Sequence, residues 1–138
     1  MADYVYNRAK NNVTITDLRV LLLVGYVFDA DHDTITDVLA AATKECDFTN
    51  YARKALADEA WSVSDSTDKG MLDATDPATW ADAGGVANNT ISHMVVYEHV
   101  GADGVNLPVS CHGTGFPLTT NGSDLTVRFP TTGIMQTS

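Results

Sequence analysis

The apolar positions of this chain fall into short runs separated by polar, glycine-rich stretches. The longest run is "VLLLVGYVF", Val20 to Phe28. The segment "DLRVLLLVGYVF" reads as a strand whose centre is apolar on both faces, as suits a strand covered on both sides. A polar break, "DADHD", follows it. The next stretch, "TITDVLAAATKE", reads as a short helix. Thr34 stands where an N-cap belongs, and Asp37, three residues on, completes a capping-box pattern. The acidic residues before the helix suit the positive end of its dipole. Ile35, Val38, Leu39 and Ala42 fall on one helical face.

The rest of the chain reads mostly as strands. "DFTNYARKALADEAWSVSDST" opens as loop or helical turn and becomes a strand near Ala60 to Ser64. A short strand is expected around Met71 to Ala74. A turn at Asp76-Pro77 follows, and Trp80 reads as a core anchor. The alternation in "TISHMVVYEHV" predicts a strand over Thr90 to Val100. Ile91, His93, Val95, Tyr97 and His99 share one face; Met94, Val96, Glu98 and Val100 share the other. "GADGVN" reads as a hairpin-like turn. "LPVSCHG" is a short strand, and Pro108 suggests that it lies at an edge. Asn121-Gly122 marks a turn. It leads into alternating Leu125, Val127 and Phe129, and "TTGIMQTS" reads as a final short strand. Residues 1–16 read as an N-terminal arm or short helix with a turn at "KNN". Residues 17–138 read as a single domain. The class is mainly β: a β-sandwich, jelly-roll-like or Ig-like, with one short helical insertion.

Composition narrows the function classes. A chain of 138 residues with 44% hydrophobic residues is one domain with a sizeable core. The formal net charge is −10, and only eight Lys and Arg are present. Clustered cations are what grip phosphates, so neither nucleic acid nor an anionic membrane is an expected partner. "MADYVYNRAK" has no apolar core of the kind a cleaved secretory signal carries. The longest apolar run is too short for a helical span. Cys46 and Cys111 form no CxxC or Cys/His cluster. They read as small buried apolar residues rather than as a disulfide or zinc site.

The segment that most suggests chemistry is "DADHD", where Asp29, Asp31 and Asp33 alternate around His32. An EF-hand loop needs Gly at its sixth position and Glu at its twelfth. Counting from Asp29, these are Thr34 and Ala40, so the bend and the bidentate ligand are missing. The loop reads as a solvated helix start, and no metal is expected. His93 and His99 share a strand face but lie too far apart to share an ion. Together with His32 and His112 they read as surface or interface histidines. There is no G-x-S-x-G elbow, no phosphate loop and no GxGxxG. The eighteen carboxylates include no pair that spacing singles out. A carboxylate-dependent glycan hydrolase is therefore a minority reading. No catalytic residue and no cofactor is assigned, and the protein is not expected to be an enzyme. Tyr4, Tyr6, Tyr51 and Trp61 read either as interface anchors or as ordinary core residues.

The order of these segments resembles a family of small virion structural proteins of tailed bacteriophages, of the minor capsid or head decoration type. The resemblance rests on "VYNRAK", "DLRVLLLVGYVFDADHDTITDVLAA", "YARKAL", "MLDATDPATW", "ISHMVVYEHV" and "NGSDLTVRFPTTGI", in that order along nearly the whole chain. The chain departs from the family at Met71-Leu72, where an aromatic is common, and in the histidine- and cysteine-bearing strand at residues 107–113. The resemblance implies a β-rich domain without catalytic residues, assembled in many copies on the virion. It implies the major capsid protein as partner, and self-association with a trimer preferred. It places the protein on the capsid surface after assembly in the host cytoplasm. A head-tail connector, minor tail or fibre-base protein is the alternative. In this setting Tyr4, Tyr6, Asp29, Asp31 and Asp33 are the candidate interface residues.

Overall fold

The computed structural model describes residues 4–6, 17–64, 69–129 and 134–136. The expected "KNN" turn and most of the expected N-terminal arm lie outside the described residues. The fold is mainly β, with antiparallel sheets and, among the described residues, one short helix, as the alternation predicts.

The centre is β2, Leu18–Val24. On one side it pairs antiparallel with β8, His93–Glu98, placing Leu18 opposite Glu98 and Leu23 opposite His93. Next comes β9, Leu107–His112, and then β1, Tyr4–Val5, at the end of the sheet. The other side of β2 is shared by two short strands. β3, Lys44–Glu45, pairs with its end, and β4, Lys54–Ala55, with its start. The remaining strands are β5 (Ala60–Ser64), β6 (Lys69–Asp73), β7 (Thr90–Ile91), β10 (Leu118–Thr119) and β11 (Met135–Gln136). They form a β11-β6-β5 sheet and a β10-β7 pair.

Alternation along β2 divides the core in two. Leu18, Val20 and Leu22 share a cluster with Leu72 of β6, Trp80, Ile91, Leu125 and Ile134. Leu21 and Leu23 share the other with Val95, Tyr97, Cys111, Tyr6 and Tyr26. That second cluster is roofed by α1, Ile35–Ala41, through Ile35 and Val38. The central sheet is therefore covered on both faces, which is why β2 is apolar from Val20 to Val24. Complete burial of each such side chain is worth about 1.5–3 kcal/mol.

The helix begins as its sequence predicts. Thr34 is the N-cap, its hydroxyl accepts from the Asp37 amide, and the Asp37 carboxylate returns the bond to the Thr34 amide. At the other end, the chain turns back to β3 close beside Gly25, whose φ is +63°. A Cβ there would sit 2.3 Å from the Thr43 hydroxyl oxygen, so only glycine fits.

Three expectations are corrected. The strand over Thr90 to Val100 is interrupted at Ser92, whose amide and hydroxyl both bond to the Leu23 carbonyl. The interruption changes the phase, so Ile91 packs with Met94 and Val96 instead of with Val95 and Tyr97. Pro108 is not on an edge strand, because β9 lies between β8 and β1. It stands at a β-bulge, where the register jumps from Val96 opposite Ser110 to Tyr97 opposite Pro108. A bulge tolerates the missing N–H. Residues 125–129 keep their buried-exposed alternation but pair only through a single bridge, Leu125 to Trp80. At the N-terminus, residues 4–5 are a sheet strand and Tyr6 is fully buried; the rest of the expected arm or short helix lies outside the described residues.

Candidate functional site

Among the described residues, the densest cluster of ionisable side chains surrounds Arg53, just before β4. Glu45 reaches it from β3 and Asp103 from the loop between β8 and β9. The guanidinium Nε and Nη2 donate to the two Glu45 oxygens, each at 2.8 Å. Nη1 and Nη2 donate to the Asp103 oxygens at 2.8 and 3.0 Å. Nη1 also donates to the Tyr97 hydroxyl at 3.3 Å, and the guanidinium carbon lies 5.5 Å from that ring's centroid. Five bonds thus engage the five N–H groups that an arginine possesses. Tyr51 donates its hydroxyl proton to Glu45, and its oxygen accepts the Leu22 amide.

The electrostatics follow from this geometry. Bonds from Arg53 hold the Asp103 carboxyl below the usual carboxylate range. The two carboxylates raise the Arg53 pKa still further. Burial, with Glu45 beside it, pushes the Tyr51 hydroxyl well up, so it stays a neutral donor. All the cation's donors are spent internally, which makes the cluster a clamp rather than an anion-binding site. It also fixes the helix start, because the Asp103 and Asn106 carbonyls accept the Thr36 and Ile35 amides at the open end of α1.

On the helix-covered face, a chain of hydroxyls leads outward from the core. Tyr6 and Tyr26 share a hydrogen bond of 2.8 Å, and the Tyr26 hydroxyl lies 2.8 Å from His32 Nδ1. Burial pushes the Tyr26 hydroxyl up to about 12 and the Tyr6 hydroxyl higher still. His32 is therefore anchored from below and holds the "DADHD" loop onto the sheet.

The Asp29 carboxylate builds a turn in that loop, and the Asp37 carboxylate beyond it caps the helix. Asp29 Oδ1 accepts the Asp31 amide at 2.9 Å, and the Asp29 carbonyl accepts the His32 amide. The Asp33 amide donates to Asp37. Asp29, Asp31 and Asp33 are all exposed. Among the described residues, no three His, Cys, Asp or Glu side chains converge as a metal site.

The five candidate interface residues thus separate. The three aspartates are on the surface, and Tyr4 lies on the terminal strand of the main sheet. Tyr6 has no exposed surface and its hydroxyl is engaged in the core, so it is withdrawn from the interface. His93 and His112, expected at the surface or an interface, are buried as well. His112 Nε2 bonds to Ser110 Oγ at 2.8 Å, and the His93 ring meets Tyr26 edge-on. Cys46 and Cys111 are both buried and outside any disulfide, and burial pushes the Cys46 thiol up to about 12. The described surface also holds two shallow hollows of about 180 and 260 Å³, which share Leu118 and Leu125 as lining.

Sequence reasoning did not single out Glu45, Arg53 or Asp103. Arg53 and Asp103 lie 50 positions apart, and no local pattern connects them. Comparison of the chain with protein-family models, with curated proteins and with solved structures finds no match.

Proposed function

We propose that this protein is a structural component of a tailed-bacteriophage virion, a decoration protein that binds the shell of major capsid protein and stabilises it. The observation that carries the reading is how the ionisable side chains are used. Arg53, the centre of the densest charged cluster, spends every N–H group on Glu45, Asp103 and Tyr97, and so braces loops instead of facing a substrate. The order of sequence motifs supports the phage setting, and the net charge of −10 suits a surface kept away from the packaged genome.

The mechanism is mechanical. Each copy, as part of a trimer, bridges neighbouring capsid subunits. The added contacts must be broken before the shell opens. Individually weak contacts gain through multivalency on a repeating lattice. The contact assigned to the rest of the capsid is the loop of Asp29, Asp31 and Asp33, together with the edge strand bearing Tyr4.

Imaging intact virions by cryo-EM tests position and copy number together. Hundreds of copies over the shell are expected. Copies confined to a single ring at the portal or tail would replace the decoration reading with the connector reading. Within the decoration reading, changing Asp29, Asp31 and Asp33 to Asn should lower virion occupancy while leaving the fold intact. Unchanged occupancy would remove the loop from the contact.

A further inference from the structure

We propose that Asn121 is a spontaneous deamidation site that the fold holds in check. Asn121 is exposed and is followed by Gly122, whose missing side chain leaves the peptide nitrogen open to reaction. The chemistry needs only water and a weak base. The Gly122 nitrogen loses its proton to solvent and attacks the Asn121 side-chain carbonyl carbon. A C–N bond forms, the side-chain amide bond breaks, and ammonia leaves. Water then opens the resulting succinimide at one of its two carbonyls, giving aspartate or isoaspartate.

In the folded protein the attacking nitrogen is occupied. The Gly122 N–H donates to the Ala83 carbonyl at 2.7 Å. The Asn121 Oδ1 is also held, accepting the Ser123 amide at 3.0 Å. The Ala83 amide donates back to the Ser123 carbonyl at 3.0 Å, so the two loops are stitched together on both sides of Gly122. Attack requires the side-chain carbonyl carbon to swing onto the nitrogen, and that breaks these bonds. Water is close by, because Asn121 lines the open 180 Å³ hollow. The folded-state rate therefore tracks the population of the opened loop.

The isoaspartyl product would not refit. Gly122 has φ of +95°, and a Cβ there would come within 3.3 Å of the Gly85 Cα. An isoaspartyl link adds a carbon to the main chain at this close approach. It also adds a charge to the hollow that Asp124 lines, and Asp124 already accepts the Asp82 amide. Isoaspartate formation would thus part the 83–85 and 120–123 loops.

Peptide mass spectrometry on the full chain tests the proposal. Samples are incubated in mildly alkaline buffer with and without denaturing urea. The Asn121 peptide should convert to its acid forms in the unfolded chain, and about tenfold or more slowly in the folded one, as an opening equilibrium requires. Sub-denaturing urea should raise the folded rate progressively. N121Q should abolish the conversion in that peptide. Equal rates in the folded and unfolded chains, or no conversion in the unfolded chain, would overturn it.

Discussion

Replacing Arg53 with Met keeps most of the side-chain length but removes the charge and the five donors of the clamp. Glu45 and Asp103 would then face each other without a cation. In a fully buried site the loss of one partner of an ion pair costs about 3–5 kcal/mol. Here the side chains of Glu45 and Asp103 are 24% and 33% exposed, so water and salt recover part of that. We expect a net loss of about 2–3 kcal/mol near neutral pH, between the buried and the surface limits. The pH dependence has a definite sign. Asp103 has a depressed folded-state pKa, caused first by its bonds to Arg53. Its contribution is present above the unfolded carboxyl value of about 3.9 and is lost as pH falls through the folded value. The difference between wild type and Arg53→Met should therefore be largest near neutrality and shrink at about pH 3. Urea unfolding at both pH values measures this. A loss below about 0.5 kcal/mol at neutral pH, the range of an ordinary surface change, would refute the clamp. A deficit that stays constant with pH would refute its electrostatic origin.

Two further outcomes test the core. Leu22→Ala empties a fully buried position where β2 meets the second layer, and it should cost about 2–5 kcal/mol in chemical denaturation. A smaller loss would mean that this face is not tightly packed. The Cys46 thiol, pushed up to about 12 by burial, should resist alkylation in the native protein near neutral pH and react once urea unfolds it. Rapid native labelling would contradict its burial.

The loop that first suggests calcium has become a structural element with an exposed acidic face. Asp29 makes a turn, Asp33 and Thr34 donate to Asp37, and His32 is pinned by Tyr26. What the loop offers a partner is three surface carboxylates on a rigid base. That is the property the proposed capsid contact uses.

The sequence by itself determined the local features of this protein. The apolar run of β2, the helix over Ile35–Ala41 with its Thr34 cap, and the strand over Ala60–Ser64 depend on side chains near in sequence. Short-range sterics and capping bonds act there before any partner strand is chosen. Features that depend on distant partners were decided only by the tertiary structure. Alternation predicts that Ile91 sides with Val95, but Ser92 binds the end of β2 and reverses the phase. Leu125, Val127 and Phe129 alternate like a strand, yet residues 125–129 pair only through the Leu125 bridge, so alternation supplied a buried side without a ladder. Tyr6 looks the same as any tyrosine near a terminus until β9 draws β1 onto the sheet and buries it. Arg53 meets Asp103 only because β3, β4 and the β8–β9 loop converge at one end of the central sheet. A side-chain pattern states which face of a segment avoids water. Which segment covers that face, and which charges meet there, depends on the closure of the whole chain.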